Sequence, residues 1–378
     1  MAEISASVLQ QRPLVFAGLA QRDLSAFGGR EVRSIAEVAR EWGEQPADVV
    51  HTGGEVLTCS LYEAAVMLLS PEAAALAIAC HDRDPEARQA WSEELLGLRQ
   101  RVAYLVPRSL FRHPRRFQYF GIGGTGLATL PIAMKQEVFD NLRHADHVWV
   151  RDRVTQVQLE QARIRTFLAP DPATATVRVC GSRIAGHRVN GEPAAIAARF
   201  ARGYLAAQFS AEFGDDATLR EIGCQLQQVQ RETGLGIVLF RAGAAPWHDD
   251  LDVYRRLLSV TGDFDHALFQ SLDLWDICAL LANATAYCGS SLHGRIVAEA
   301  CGRPAANLIR DPAQMTKQAA HALSWGYGSQ RTILAPADLA IGITRALQGK
   351  TPAFDAHVAD LADLTMAAFS RAQLARES

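Results

Sequence analysis

Short apolar runs that end in glycine or polar residues alternate along this chain with stretches whose apolar residues recur every three or four positions. PLVFAGL (13–19) reads as a strand, SIAEVAREW (34–42) as a helix, and ADVVHTGG (47–54) as a strand closing on a glycine turn. SLYEAAVMLLSPEAAALAIAC (60–80) is helical by its alanine and leucine content. Pro71 must begin a new helix within it, because proline fits a first turn and cannot continue an earlier one. RVAYLVP (101–107), RFQYFGIGG (116–124) and HVWVRD (147–152) repeat the strand pattern. Such alternation predicts parallel sheets with crossover helices.

Between Asp171 and Gly191 the chain turns polar, rich in glycine, asparagine and arginine, with no sustained helical period, and a domain boundary is expected there. A second series follows: YLAAQF (204–209) as a strand, an amphipathic helix over 218–233, and GIVLFRAG (236–243) as a strand. LDVYRRLLS (251–259) and LDLWDICALLANA (272–284) then read as helices, and TAYCGSS (285–291) as a strand. The economical fold is α/β, two doubly wound domains facing a cleft where the carboxyl ends of their strands meet. The expected division is 1–180, 181–345 and a helical tail over 346–378.

The most informative stretch is SSLHGRIVAEACGRPAANL (290–308). Ile296, Val297, Ala300 and Cys301 recur at helical spacing, so Ser290, Ser291, His293 and Gly294 fall in a tight loop opening a helix. Unpaired backbone N–H groups and the positive end of the helix dipole favour an anion at that place. His293 reads as a phosphate ligand or general acid, or else as a helix cap. Gly294 reads as allowing close backbone approach to an anion, or as a plain turn.

Composition narrows the partners. The 378 residues suffice for about two domains, and 49% hydrophobic with 21% charged residues is ordinary for a globular protein. Lys plus Arg is 38 against 41 Asp plus Glu, a net charge of -3, so no basic field recruits nucleic acid or an anionic membrane. An anionic ligand must then be held by a local cluster. Seven scattered cysteines without a Cys-x-x-Cys pair suggest small buried hydrophobes in a reducing cytoplasm. The N-terminus fails as a signal peptide, and no apolar stretch reaches the ~18 residues of a membrane helix. Contact with a membrane would be peripheral.

The 290–308 segment resembles the signature of the polysaccharide pyruvyl transferase family, in which a Ser/Arg-Leu-His-Gly loop precedes a helix ending in Gly-x-Pro. ADVVHTGGEVL, VWVRDRVTQVQLEQARI and APDPATA are similar to other family segments in the same order, and Lys317 stands where the family often has a lysine. The resemblance, spanning roughly 13–326, implies two Rossmann-like domains in a GT-B-like arrangement. It implies transfer of the enolpyruvyl carbons of phosphoenolpyruvate to a sugar or sugar-like diol as a ketal, with phosphate released. The acceptor would be a glycan, free or linked to a nucleotide or lipid, and phosphoenolpyruvate is the donor substrate, with no cofactor.

On that chemistry His293 and Arg151 are the candidate catalytic residues. They come from different domains and are expected to meet across the cleft. Arg151 ends the HVWV strand, where its fork suits the donor's carboxylate or phosphate; the alternative is a salt bridge to Asp152 or Asp171. Asp152 reads as a helix N-cap. Ser290, Ser291, Gly294, Arg295 and Lys317 are expected to hold substrate, as are the glycine turns Gly53, Gly54, Gly123 and Gly124. Many family members have arginine at the Ser291 position, and Arg295, one turn into the helix, is the available replacement. The basic run Arg108, Arg112, His113, Arg115 and Arg116 reads as a solvated loop or a recruiter of an anionic acceptor. No metal is assigned, the residues of WHDD (247–250) making a helix start, and the spacing in GIGGTG (121–126) is wrong for a dinucleotide fingerprint. The same architecture could serve a glycosyltransferase with a nucleotide-sugar donor, or a non-catalytic relative that binds a metabolite or glycan.

Overall fold

A computed structural model describes residues 1–9, 13–243, 249, 251–328 and 332–374. The chain divides into two compact units, Met1–Pro172 with Ala368–Ser378, and Ala173–Ala367.

The first unit opens with α1 (Ala2–Val8) and a small sheet of β1 (Ala17–Gly18), β2 (Arg22–Asp23) and β3 (Glu31–Ser34), in the order β1–β3–β2. The run 13–19 yields only a two-residue strand, since pairing with β3 stops at Ala17↔Arg33 and Gly18↔Ser34 and Leu14 and Val15 lie exposed. There follow α2 (Ile35–Trp42), β4 (Pro46–Gly54), α3 (Leu61–Met67), α4 (Pro71–His81) and α5 (Pro85–Leu96). Next come β5 (His113–Ile122), α6 (Ile132–Arg143), β6 (His147–Val150), α7 (Arg153–Gln161) and β7 (Phe167–Leu168). Pro71 does start a helix, with Ser70 accepting from Ala73 N.

RVAYLVP is not a strand. The Glu137 carboxylate accepts from the backbone N–H groups of Arg101 and Val102, and the chain makes one isolated bridge, Ser60↔Val102. The buried Val102, Ala103 and Leu105 owe their apolarity to the core, with no ladder involved. The main sheet is parallel and laid down in sequence order, β4–β5–β6–β7. Leu57, Phe117, Tyr119, Ile122, Val148 and Leu159 centre its core.

The second unit begins with α8 (Thr176–Arg188) and α9 (Gly191–Arg199). Here the expected linker is helical. Cys180 and Ile184, four residues apart, pack with Trp275, Cys278 and Ala282, and an otherwise polar surface hid the period. The remaining elements are β8 (Tyr204–Gln208), α10 (Asp216–Thr233), β9 (Gly236–Leu239), α11 (Leu251–Val260), β10 (His266–Leu268) and α12 (Leu274–Asn283). After them come β11 (Ala286–Gly289), α13 (Leu292–Ala300), β12 (Ala305–Leu308), α14 (Lys317–Trp325), β13 (Ile333–Leu334), α15 (Leu339–Gln348) and α16 (Pro352–Leu374). The tail helix α16 contributes its residues through Ala367 to the second unit and those from Ala368 to the first.

All neighbouring strands of this sheet are parallel, in the order β10–β9–β8–β11–β12–β13. Every residue of β8, β9, β11 and β12 is buried, as strands covered on both faces require. The chain first adds strands on one side of β8 and then crosses to add β11, β12 and β13 on the other. This is the Rossmann strand order, reversing between β8 and β11, and in such sheets ligands bind beside the carboxyl ends of the strands at the reversal. Among the described residues no helix is long and apolar enough to cross a membrane. Cys278 and Cys288 are buried, whereas Cys80 and Cys224 are exposed, so fewer of the cysteines are core residues than their apolar contexts suggest.

Candidate active site

The Ser-Ser-Leu-His-Gly segment leaves the carboxyl end of β11 at the reversal point; only Ser290 and Ser291 form a loop there, and Leu292, His293 and Gly294, expected to share it, are the first turn of α13. Neighbouring elements fix it through backbone and side-chain hydrogen bonds. Ser290 N donates to Gln208 O at 3.0 Å, and Ser210 N donates to Ser290 Oγ at 3.0 Å, so the ends of β8 and β11 are tied together. Ser291 N donates to Gln208 Oε1 at 2.9 Å, and Asn307 Nδ2 to Ser291 O at 3.0 Å. Gln318 Nε2 donates to Ser290 O at 2.6 Å, which brings the first turn of α14 to the loop. These amides escape a sequence reading, since asparagine and glutamine at strand and helix ends carry no distinctive spacing.

Several residues expected to hold substrate have structural work instead. Ser291 caps α13, its Oγ accepting from Gly294 N at 3.1 Å. Gly294 sits inside the helix, where an added Cβ would stand 2.5 Å from the Tyr287 hydroxyl oxygen. Its close approach is therefore to an aromatic ring of β11. Arg295 does not replace the arginine absent at Ser291: it is 1% exposed, with Nη1 donating to Thr332 Oγ1 at 3.0 Å and Nη2 to His321 Nδ1 at 2.6 Å. Four residues beyond Ser291, it falls on the inward face of α13. His293 is half-buried, and Lys317 is exposed at the start of α14.

In the first unit the carboxyl ends of β4, β5 and β6 bring together the other predicted residues. Arg151 is 2% exposed, and its Nη1 donates to Asp171 Oδ2 at 3.1 Å and its Nη2 to Glu55 Oε2 at 2.7 Å. Burial works against its charge, but Asp171, Glu55 and Asp152 outweigh that and hold the guanidinium above its ordinary pKa. A buried cation must be paired, and the salt bridge to Asp171 supplies a partner that an open anion clamp would lack. Asp152 caps α7, accepting from Thr155 N at 2.7 Å, while burial pushes its carboxyl up.

The glycines make room for this network. Gly54 adopts φ +116°, its carbonyl accepting from Gly123 N at 2.7 Å, and a Cβ on Gly53 would stand 2.4 Å from Gly121 O. A Cβ on Gly123 would stand 2.6 Å from both Arg151 Nε and Glu55 Oε2. Gly124 N donates to Thr155 Oγ1 at 2.9 Å. Glu55, directly after the glycine pair, is the functional candidate the sequence reading missed. Its Oε1 accepts from Thr125 N at 2.7 Å and Thr125 Oγ1 at 2.9 Å, and its side chain keeps 20% exposure. The signal was a carboxylate following a glycine turn at a strand's carboxyl end.

The basic run is largely neutralised: Arg108 pairs with Asp146, Arg112 and His113 with Glu44, and Arg115 with Asp48. Of WHDD only Asp249 lies within the described residues. His187, Asp273 and Asp276 form a group with metal-ligand atoms within 4.8 Å of one another. Asp273 Oδ1 is already committed as the α12 cap, and His187 Nδ1 pairs with Asp276 Oδ1 at 2.7 Å.

A model of the polysaccharide pyruvyl transferase family matches residues 112–312. No curated protein matches the chain. Among solved structures, a UDP-forming α,α-trehalose-phosphate synthase from Burkholderia xenovorans is similar at 12% identity, covering 69% of this chain and 68% of that one, with a TM-score of 0.44. A UDP-GlcNAc 2-epimerase from Methanocaldococcus jannaschii is similar at 10% identity, covering 62% of each chain, with a TM-score of 0.43.

Proposed function

The chain belongs to the polysaccharide pyruvyl transferase family, and from that premise we propose that it transfers the enolpyruvyl group of phosphoenolpyruvate to a sugar or sugar-like diol as a ketal. The observation that carries the reading is the position of His293 in the first turn of α13, at the reversal point of a Rossmann-ordered sheet. A helix N-terminus there suits the phosphate of the donor.

In the transfer, carbon 3 of the donor gains a proton and a hydroxyl oxygen bonds to carbon 2. The C2–O bond to phosphate then breaks, and the second hydroxyl closes the ketal. Two hydroxyl protons are lost and one is gained by carbon, the other leaving with phosphate. His293 is the group for phosphate contact or proton delivery, and Lys317, exposed at the start of the helix whose Gln318 holds the loop, adds a positive charge. Glu55, oriented by Arg151 and Thr125 and still partly exposed, serves as the base for an acceptor hydroxyl. Arg151 acts through it as a positioning residue.

Phosphate release from phosphoenolpyruvate in the presence of a sugar diol tests this, read beside the melting temperature. His293→Ala should lower turnover by about 10²-fold or more at near-normal stability, and Glu55→Gln should lower it as much while also lowering the melting temperature, since both Glu55 oxygens accept hydrogen bonds and one pairs with the buried Arg151. Arg151→Ala should instead lose about 3–5 kcal/mol of stability, since it removes the countercharge that pairs with a fully buried Asp171. Near-normal turnover in His293→Ala would overturn the assignment of the loop.

A further inference from the structure

At the amino ends of β6 and β7, the edge of the first unit's sheet away from Glu55 and Arg151, lies a cavity of about 250 Å³. Arg143, Arg163, Arg165 and His147 line it, with Phe167 and a single carboxylate, Asp146. That carboxylate does not neutralise the wall: its Oδ2 already accepts from Arg108 Nη1 and from Phe117 N, each at 2.7 Å. Arg143 pairs with Asp140. Among the described residues neither Arg163 nor Arg165 is paired with a carboxylate, and the Arg165 guanidinium lies 5.3 Å over the Phe167 ring.

The backbone supplies an independent observation. Helix α7 ends in a Schellman turn, with Ile164 N donating to Leu159 O and Arg163 N to Glu160 O, both at 2.9 Å. The residue after the cap must then adopt the left-handed conformation, which suits glycine. The chain uses glycine for the left-handed position after α5 (Gly97, φ +64°) and α10 (Gly234, φ +70°). After α7 it has Arg163, at φ +59°, the one non-glycine residue with positive φ among those described. Arginine in this position bears a backbone cost that glycine would not, and it stands among the residues that line the cavity.

We propose that this cavity is a second anion site, separate from the reaction, which takes the phosphate or diphosphate group of a phosphorylated small molecule. Arg163 and Arg165 grip the oxygens through charge-assisted hydrogen bonds, and the face of Phe167 borders the rest of the ligand. The inference is independent of the proposed activity, because none of its residues takes part there.

The test is calorimetric titration of the intact chain with inorganic pyrophosphate, at constant ionic strength set with chloride, in a His293→Ala background that removes the expected phosphate contact of α13. Saturable binding should persist there. Arg163→Gly and Arg165→Gln should each weaken it by about 10-fold or more, the loss of one charge-assisted contact. Arg163→Gly also relieves the backbone strain, so its melting temperature without anion should not fall below that of its parent, and loss of binding cannot then be laid to unfolding. Arg165→Gln, which leaves the backbone turn untouched, gives the same reading should the glycine variant fold poorly. Absence of saturable binding in the His293→Ala chain, or affinity unchanged by both arginine substitutions, overturns the proposal.

Discussion

His51 shows how strongly a single residue's chemistry depends on where folding puts it. In the sequence it is one histidine of a strand, two positions before the glycine turn. In the fold its ring stacks on Tyr119 at 4.2 Å, and burial drags the imidazole from 6.5 down to about 4, against a weaker upward pull from the Gln118 backbone. Between those two pH values the unfolded chain binds a proton that the folded chain does not. The stability His51 contributes is therefore complete above about pH 6.5 and is lost as the pH falls through about 4. Melting temperature against pH should decline over that window in the parent chain and more gently in His51→Gln; parallel curves would show that His51 is not the group responsible. Arg151 makes the same point with the opposite charge. A strand-end arginine could serve as a clamp, yet its burial between Glu55 and Asp171 makes it part of the scaffold for a carboxylate.

At the scale of elements, α13 joins a structural demand to the functional one. The helix packs on β11 closely enough that position 294 admits no side chain. Gly294→Ala would drive a methyl group to within 2.5 Å of the oxygen of fully buried Tyr287 and should cost about 1–3 kcal/mol. Gly186, inside α8, is the contrasting case. Nothing stands within 4 Å of its would-be Cβ, so Gly186→Ala should stabilise the protein by up to about 1 kcal/mol. Chemical denaturation of both variants checks the pair. Stabilisation of both variants would mean that helix propensity alone, and not packing against Tyr287, governs glycine in these helices. The α8 helix also shows what periodicity cannot reveal, because a helix anchored by Cys180 and Ile184 on a short apolar stripe looks like a polar linker.

At the scale of the whole molecule, each unit has its own buried core. In the second, Leu205, Ile222, Leu226, Ile237, Leu257 and Ile343 join strands and helices that are distant in sequence. A fragment spanning 173–367 should therefore unfold in a single cooperative thermal transition followed by circular dichroism. A gradual loss of ellipticity with no transition would show that this core does not suffice by itself.

The sequence by itself determined the alternation of strands and helices, the α/β class and the family resemblance. It also marked the His293 loop, because periods of two and 3.6 residues, glycine turns and a helix-opening Ser-Ser-Leu-His-Gly are local signals. It could not determine that β11 lies beside β8, since strand order depends on where each crossover returns. Nor could it show that Gly294 faces Tyr287, that Arg295 turns inward to His321, or that Glu55 and Asp171 converge on Arg151. Those pairings join residues from different strands, helices and connecting loops. Only tertiary structure brings such groups together, because burial decides which charges must be paired and packing decides which backbones must touch.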